Sequence, residues 1–255
     1  MCGRFAVTTD PALLARRLDA VNEVPPQPED APAAAGPGPN YNVAPTTGIC
    51  TLVSRRDRDD PDSEPIRRLR LMRWGLVTSW TKPRADGTPA AGGPLLINAR
   101  AETLADSPAF RTSAAHKRCL IPMDGWYEWR GEKGAKTPFY LYADDGQPLL
   151  MAGLWSVWRG GEPARPALLS TTIITTDSAG PLAGIHDRMP LSISAADADR
   201  WLDPDAPLDP GLLRGHGDLD RIAIREVSTL VNSARNNGPE LIAPAEPKPE
   251  QAELF

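Results

Sequence analysis

Short segments that alternate apolar and polar residues dominate the chain. GICTLVS, IRRLRLMRW and the β-branched run LLSTTIITTD each have the length and composition of a β-strand. Clusters of Gly, Pro, Asp and Asn separate these segments, as turns require. Helical spacing is confined to a few short stretches between them. The pattern predicts an α+β domain with a mainly antiparallel, barrel-like β core and short peripheral helices.

Turn and cap residues divide this pattern into individual elements. TTDPALLARRL predicts a helix with Thr8 or Thr9 as its N-cap, and SAADADRWL predicts a second helix capped by Ser194. The Asp145-Gly146 pair between FYLYA and LLMAGLWSVW predicts a β-hairpin.

Two internal segments and the C-terminal segment depart from the alternating pattern. Residues 25–39 and 82–94 are rich in Pro, Gly and Ala, which predicts long loops. From Ala243 onward the chain is rich in Pro and Glu, which predicts a disordered tail. We therefore expect one folded domain over residues 1–242 and a tail over 243–255.

Composition and charge narrow the classes of function. The sequence has no long apolar run and no signal-peptide pattern, so we expect a cytoplasmic protein without a membrane span. Cys2, Cys50 and Cys119 lie far apart without a CxxC pair, which argues against a disulfide framework and a zinc site. We expect no metal, no cofactor and a monomer. The formal net charge of −5 argues against a general polyanion binder but is compatible with a local basic groove.

The first five residues, Met1-Cys2-Gly3-Arg4-Phe5, carry the most unusual chemistry. A small second residue favours removal of the initiator methionine, so the mature chain is expected to begin at Cys2. An N-terminal cysteine presents an α-amine, whose pKa is about 8, and a thiol on adjacent carbons. The amine condenses with an aldehyde to an imine, and the thiol then closes a thiazolidine ring. The alternative is that Cys2 only starts an ordinary first strand.

Polar side chains interrupt apolar runs at three further places. Asn98 and Arg100 follow Leu-Leu-Ile and project from one face of a predicted strand. Glu128 lies among aromatic residues in GWYEW, where burial would raise its pKa toward neutrality. His186 follows a buried strand, and Arg188 is close enough in sequence to influence its protonation. Structural roles remain open for all three places: a half-exposed strand, a surface glutamate and a loop histidine.

An ordered set of motifs resembles one family. MCGRFA, YNVAP, WGL, INARAET, CLIPMDGWYEW, IITT followed by GIHDRMP, and VNSARNNGPELI occur from residue 1 to about residue 242. Each motif is weak alone, but the ordered set is similar to that of the SRAP family, the SOS response-associated peptidases. The resemblance implies a protein that binds single-stranded DNA and crosslinks covalently to abasic sites through its N-terminal cysteine. The peptidase name refers to a proposed self-removal of the initiator methionine.

The resemblance also implies four catalytic residues. Cys2 would be the nucleophile, and Asn98 would orient both Cys2 and the sugar. Glu128 would move protons at the Cys2 amine and the sugar hydroxyl. His186 would assist opening of the sugar ring, which an abasic site needs because it exists mostly as a closed hemiacetal.

A DNA-binding surface follows from the same resemblance. Arg4 and Arg100 would hold the flanking phosphates, which positions the strand without reading its sequence. We place Arg188 on the same surface. An abasic nucleotide lacks a stacked base, so turning it into a pocket costs little. Exposed aromatic residues would stack on neighbouring bases, with three candidates: Trp74, Trp80 and Trp126.

Three other functions fit some of these residues. An N-terminal-nucleophile amidohydrolase also begins with Met-Cys-Gly and predicts glutamine hydrolysis, although the sequence contains no NGD-type oxyanion motif. A thiol peptidase that uses Cys2 and His186 predicts peptide turnover without DNA. A non-catalytic single-strand binder predicts that Cys2→Ala retains all function.

Overall fold

The structure is a computed structural model that describes residues 2–26, 38–57, 59–90, 93–132, 134–160, 166–215, 217 and 219–246. Most of the loop predicted over 25–39 and most of the tail predicted over 243–255 lie outside the described residues. The other predicted loop, over 82–94, is described except at 91 and 92, and within it Pro83 and Pro89 form an isolated β-bridge.

Short strands account for most of the regular structure. In chain order the described strands are β1 (Phe5–Val7), β2 (Val21–Asn22), β3 (Asn40–Val43), β4 (Gly48–Arg55), β5 (Ile66–Trp74), β6 (Asn98–Arg100), β7 (Arg118–Met123), β8 (Gly125–Arg130), β9 (Thr137–Ala143), β10 (Leu149–Trp158), β11 (Leu168–Asp177), β12 (Arg188–Pro190) and β13 (Ile222–Glu226). The described α-helices are α1 (Pro11–Arg17), α2 (Arg111–His116), α3 (Ala198–Leu202) and α4 (Pro210–Arg214). Single 3₁₀ turns cover Gly180–Gly184, Ala195–Asp197, Leu219–Arg221, Thr229–Asn232 and Pro239–Leu241.

The strands form two sheets. Sheet A has the order β13-β9-β8-β1-β3, with every neighbouring pair antiparallel. Sheet B has the order β12-β11-β10-β7-β4-β5-β2, and β6 pairs with β11 in parallel. A parallel contact of β11 with β5 closes five strands of sheet B into a ring, but it joins only Ser170 to Arg73 and Thr171 to Trp74. The predicted α+β class and mainly antiparallel sheet are confirmed, while the core is a ring of strands and not a true barrel.

The hairpin predicted at Asp145-Gly146 is wrong. The turn itself forms, since the Asp145 carboxylate accepts the N–H of Gln147 at 2.9 Å. However, β9 pairs with β8 and β13 in sheet A, whereas β10 pairs with β7 and β11 in sheet B. The chain also changes sheets between β7 and β8, where a Cβ on Gly125 would lie 2.4 Å from the Leu141 carbonyl oxygen. Turn residues fix a reversal locally, but long-range packing decides which strands then pair.

Helix caps differ from the prediction at one of two positions. Asp10 caps α1, because its carboxylate accepts two backbone N–H groups of the first turn at 2.9 and 3.1 Å. Thr8 or Thr9 was expected there, but Thr8 donates its N–H and hydroxyl to the Asp124 carboxylate at 2.7 and 2.6 Å. This contact ties the end of β1 to the β7–β8 crossover. Ser194 caps the 3₁₀ turn that leads into α3, as predicted.

Buried apolar side chains form separate clusters in different parts of the fold. One large cluster packs strands of sheet B against the α-helices and includes Trp201. A second contains Phe5, Trp74 and Trp126 together with Cys2, which is fully buried. Cys2 is therefore part of the core, although it is one residue from the start of the chain.

Arg118 on β7 connects this strand to the helices around it. Its side chain is buried, and its guanidinium donates to five backbone carbonyl oxygens at 2.5–3.1 Å, those of Ala114, Ala115, Trp201, Asp203 and Ala206. We expect Arg118→Ala to lower the free energy of unfolding by about 3 kcal/mol, because it leaves buried acceptors without donors. Urea unfolding measures this loss.

The matched control for Arg118 is Arg17, which is exposed on α1. Arg17→Ala is expected to change the free energy of unfolding by no more than about 0.5 kcal/mol. Equal, small effects of the two substitutions would show that the carbonyl oxygens around Arg118 find other donors.

Candidate active site

The N-terminal segment lies beside the strand that carries Glu128. Phe5 begins β1, which is hydrogen-bonded between β8 and β3. One step earlier, the Arg4 carbonyl oxygen accepts the N–H of Tyr127 on β8 at 3.0 Å. This pairing holds Cys2 in the core near Glu128, which follows Tyr127.

Asn98 holds Cys2 from the side of sheet B. It is the first residue of β6, which runs parallel to β11. The side-chain Nδ2 donates to the Cys2 carbonyl oxygen at 2.9 Å. Its Oδ1 is buried and has no hydrogen-bond partner among the residues that the structure describes. This oxygen is placed to accept a hydrogen bond from an amine or hydroxyl group beside Cys2.

Glu128 is a buried carboxyl group with a strongly shifted pKa. Its residue is 4% exposed, and burial raises its pKa to about 7. Burial also raises the pKa of the Cys2 thiol, and the negative charge of Glu128 raises it further. This effect agrees with the pairing of β1 with β8, which brings the N-terminal segment alongside the strand that carries Glu128. At neutral pH Glu128 is therefore present in both protonated and ionised forms, while the thiol is protonated.

His186 lies in the loop before β12, next to Ile185, which packs against the buried cluster that contains Cys2. Its Nδ1 accepts the backbone N–H of Arg188 at 2.9 Å, and the same atom lies 2.7 Å from Asp187 Oδ1. The first contact needs an unprotonated Nδ1 and the second a protonated one. Burial lowers the pKa of His186, so the neutral ring prevails at neutral pH and satisfies one of these two contacts at a time.

The two predicted phosphate ligands lie in different settings. Arg4 is half-buried, and its Nη1 donates to Asn42 Oδ1 at 2.8 Å and to the Val231 carbonyl oxygen at 3.2 Å. Arg100 is exposed at the end of β6, two residues from Asn98. Arg4 thus lies two residues from Cys2 in sequence, and Arg100 lies two residues from Asn98.

Comparison with known proteins agrees with the order of the motifs. The family model described as SOS response associated peptidase (SRAP) matches residues 1–234. The chain belongs to the SRAP family. Among its relatives, the abasic site processing protein YoqW of Bacillus subtilis (strain 168) is 34% identical over 246 residues, which cover 95% of this chain and 99% of YoqW. The abasic site processing protein HMCES of Xenopus tropicalis is 35% identical over 229 residues, which cover 80% of this chain and 66% of HMCES.

A solved structure supports the fold of this SRAP chain. A crystal structure of a protein from Bacteroides thetaiotaomicron aligns with a TM-score of 0.76 at 23% identity. The alignment covers 96% of this chain and 100% of that protein. At this identity the likeness establishes the shared fold.

Two of the three tryptophans expected to stack on DNA bases are core residues of the SRAP domain. Trp74 is 0% exposed and Trp126 is 2% exposed, so neither offers a ring face to a base, and the prediction is wrong for both. Trp74 instead donates from Nε1 to the Ile97 carbonyl oxygen at 3.0 Å, which fixes the residue before Asn98. Trp80 is 58% exposed and remains a candidate for stacking.

Arg188 of the SRAP domain is held by carboxylates. Its two terminal nitrogens donate to the two Glu102 oxygens at 2.8 and 2.9 Å, and also to Asp177 Oδ1 at 2.5 Å and the Thr175 carbonyl oxygen at 2.7 Å. A phosphate contact would require Arg188 to exchange one of these carboxylates, so the predicted DNA contact stays a prediction. The observed bonds fix the backbone whose N–H orients His186.

Asn42 was missed as a positioning residue. It is buried, and its Nδ2 donates to the carbonyl oxygens of Val231, Ser233 and Asn236 at 2.9–3.3 Å, while its Oδ1 accepts from Arg4. The SRAP motifs YNVAP and VNSARNN therefore meet at Arg4. The sequence did offer a signal for Asn42, since neither of these two polar motifs had been given a catalytic role. It did not show that the two motifs are in contact.

Among the described residues, no group of three or more His, Cys, Asp or Glu side chains is placed to hold a metal ion. Nor does this part of the chain contain a helix that is long and apolar enough to cross a membrane.

Proposed function

We propose that this SRAP protein senses abasic sites in single-stranded DNA and forms a covalent thiazolidine crosslink through Cys2 after Met1 is removed. The observation that carries the proposal is the position of Cys2: Asn98 holds its carbonyl oxygen, and its segment pairs with the strand of Glu128, whose pKa burial raises to about 7. Relatives named abasic site processing proteins support the choice of substrate. We expect the protein to act as a cytoplasmic monomer on DNA.

The first step is opening of the abasic sugar. The closed hemiacetal must break its C1′–O4′ bond to release the aldehyde, and O4′ gains a proton as the hydroxyl on C1′ loses one. We assign assistance in this step to His186, because burial lowers its pKa and leaves a neutral ring with one unprotonated nitrogen. This nitrogen takes the proton from the C1′ hydroxyl, and the ring then returns a proton to O4′ as the C1′–O4′ bond breaks.

The second step joins the Cys2 amine to the aldehyde carbon. Attack of the amine forms the N–C1′ bond, and Glu128 carries one proton from the nitrogen to the aldehyde oxygen, which becomes the hydroxyl of the carbinolamine. Glu128 then carries the second nitrogen proton to this hydroxyl, which leaves as water and gives the imine. A carboxyl group with a pKa near neutrality performs both transfers at the working pH. Asn98 holds the Cys2 carbonyl while the amine reacts.

The third step closes the ring. The Cys2 sulfur bonds to C1′, and the thiol proton passes to the imine nitrogen, with Glu128 as the intermediate carrier. The imine would otherwise act as an electron sink for β-elimination and strand cleavage, so ring closure protects the strand. Since burial keeps the thiol protonated until this step, the amine reacts first.

The raised pKa of the Cys2 thiol also bears on the thiol peptidase alternative. A cysteine peptidase depends on a thiolate as its nucleophile. In this protein burial disfavours that thiolate, and the neighbouring carboxylate disfavours it further. The arrangement supports aldehyde capture by the amine in preference to peptide hydrolysis.

Self-removal of Met1 is a finer part of the proposal, and lyase-like strand cleavage is expected where the thiol that closes the ring is missing. If Met1 removal is autocatalytic, wild-type protein loses Met1 and Cys2→Ala retains it. If a cellular aminopeptidase removes it, both proteins lose it, since alanine is also small. Intact-protein mass measurement of the two proteins decides between these routes.

Incubation with single-stranded DNA that contains one abasic site tests the proposed function. We expect a shifted protein–DNA band that survives heat and detergent, and no such band with an intact-base strand. Absence of the band from protein shown by mass to lack Met1 would contradict the proposal. Glutamine hydrolysis and peptide hydrolysis, assayed in the same preparation, then test the alternatives.

Replacing His186 is expected to slow only the opening of the sugar. His186→Ala should reduce the crosslinking rate on an abasic strand by about 100-fold, within the usual range for a general acid or base. A strand that carries an acyclic aldehyde in place of the abasic sugar needs no ring opening, so both proteins should crosslink it at similar rates. Equal slowing on the two substrates would contradict this role.

A further inference from the structure

Glu102 forms a side-chain ion pair that lies outside the four catalytic groups. It follows β6 in a turn closed by a hydrogen bond of 3.2 Å from the Thr103 N–H to the Arg100 carbonyl oxygen. Its two carboxylate oxygens accept from the two terminal nitrogens of Arg188 at 2.8 and 2.9 Å. Such a two-point contact between a carboxylate and a guanidinium fixes both distance and direction. The Arg188 side chain is therefore held in a defined place relative to the end of β6.

The ion pair crosses β11, the strand that lies between β6 and β12. Thr175 of β11 pairs with Arg100 of β6 and with Pro190 of β12, so β6 and β12 lie on opposite edges of β11. The Thr175 carbonyl oxygen accepts the Ala101 N–H at 2.9 Å and a terminal nitrogen of Arg188 at 2.7 Å. The Arg188 side chain thus reaches from β12 across β11 to the turn after β6.

Each end of this ion pair continues to a proposed catalytic group. At one end Arg188 begins β12, and its backbone N–H donates to His186 Nδ1 at 2.9 Å. At the other end Asn98 begins β6, four residues before Glu102, and its Nδ2 donates to the Cys2 carbonyl oxygen at 2.9 Å. The ion pair therefore connects the segment that carries His186 with the segment that holds Cys2.

Glu102 is the main partner of the Arg188 guanidinium. The Arg188 side chain is only 10% exposed, so its charge needs a carboxylate nearby. Asp177 also contacts it, but through one oxygen, and the Asp177 side chain is 83% exposed. The hydrogen bonds from Arg188 to Glu102 are the largest cause of the raised pKa of Arg188. Loss of the Glu102 carboxylate is therefore expected to displace the Arg188 side chain.

We propose that Glu102 is a positioning residue, which acts through Arg188 to hold His186 where opening of the abasic sugar requires it. This inference rests on the proposed function and adds a residue that does not itself contact the sugar. β12 has only three residues, so its backbone pairing with β11 is a short anchor for the loop that carries His186. Because a misplacement of about 1 Å can cost about 100-fold in rate, a second anchor through a side chain matters.

The maximal crosslinking rate at a saturating concentration of abasic single strand tests this role. We expect Glu102→Gln to lower this rate by about tenfold, less than His186→Ala does, because the imidazole is still present but misplaced. The DNA concentration that gives half this rate should not rise. On a strand that carries an acyclic aldehyde, which needs no ring opening, Glu102→Gln should react at the wild-type rate. Equal slowing on the two strands would overturn the proposal.

A double-mutant cycle with His186 separates positioning from other effects of the substitution. If Glu102 acts through His186, Glu102→Gln combined with His186→Ala should be no slower than His186→Ala alone. A further tenfold loss in the combined variant would show that Glu102 acts independently of the histidine, and the proposal would fail. If Glu102→Gln does not fold, the same cycle is run with Glu102→Asp, which keeps the charge on a shorter side chain.

Glu226→Gln is the matched control, because Glu226 is an exposed glutamate at the end of β13 in sheet A. It should crosslink both strands at the wild-type rate, and urea unfolding verifies that each variant is folded under the assay conditions. A wild-type maximal rate for Glu102→Gln would overturn the positioning role alone. Absence of a crosslink with wild-type protein would instead contradict the proposed function itself.

Discussion

Replacing Cys2 with alanine is expected to abolish the heat-stable adduct and to convert the protein into a strand-cleaving catalyst. The prediction applies to Cys2→Ala protein shown by mass to lack Met1. In that protein alanine keeps the α-amine that forms the imine but lacks the thiol that closes the ring. The imine therefore persists as an electron sink, and β-elimination cuts the strand. In denaturing gels with end-labelled DNA, the shifted band should disappear while a shorter DNA product accumulates.

Cys50 provides the matched control for Cys2. It is also a buried, free cysteine, but it lies on β4 in the cluster between sheet B and the α-helices. Cys50→Ala should form the adduct at the wild-type rate and leave the strand intact, provided that the protein is folded. A heat-stable adduct formed by Cys2→Ala without strand cleavage would refute the role of the thiol.

Local sequence signals predicted the elements well and their pairing less well. The β-branched run became β11 and the Ser194 cap formed as expected, because both depend on nearby residues. The Asp145-Gly146 turn also formed, but the strands on either side joined different sheets. Such pairing depends on contacts between distant segments, which a periodic pattern does not specify.

At the candidate active site, too, local sequence signals indicated the chemistry of a residue better than its place in the fold. The sequence left Glu128 open between a buried carboxyl group with a raised pKa and a surface glutamate, and the structure has the first. The expected exposure of Trp74 and Trp126 was wrong, because a bulky aromatic residue in a strand gives no sign of which sheet covers it. Asn42 was missed because its partners lie about 190 residues away in sequence.

Replacing Glu128 with glutamine is expected to slow crosslinking by about 100- to 10,000-fold, because the amide cannot carry protons between the amine, the hydroxyl and the thiol. The pH dependence should change as well. In wild type the rate should rise as pH increases through about 7, where the Glu128 carboxylate forms and accepts the amine proton. In Glu128→Gln this step should be lost, and the remaining rate should follow the amine alone, with a pKa of about 8.

The same substitution should stabilise the fold at high pH. The pKa of Glu128 in the folded protein, about 7, is above its ordinary value, so the folded state holds a proton that the unfolded chain releases. The resulting stabilisation is complete below pH ~4.3 and is lost as pH rises through 7. Above pH 7 we expect Glu128→Gln to be more stable than wild type by about 3 kcal/mol.

Urea unfolding at a series of pH values, paired with crosslinking rates, measures both effects of Glu128→Gln. The stability difference should be near zero at pH 4 and should grow toward pH 7. If Glu128→Gln keeps the wild-type crosslinking rate and is less stable than wild type at pH 8, Glu128 behaves as an ordinary ionised carboxylate and has no role in proton transfer.

Mass measurement of the crosslinked N-terminal peptide tests the central claim most directly. Wild-type protein is reacted with an abasic strand without a reducing agent, digested with protease and nuclease, and analysed by mass spectrometry. We predict a peptide that begins at Cys2, lacks Met1, carries the sugar fragment and has neither a free α-amine nor a free thiol. A sugar attached to any other residue, or an adduct that survives only after borohydride reduction, would contradict the thiazolidine mechanism.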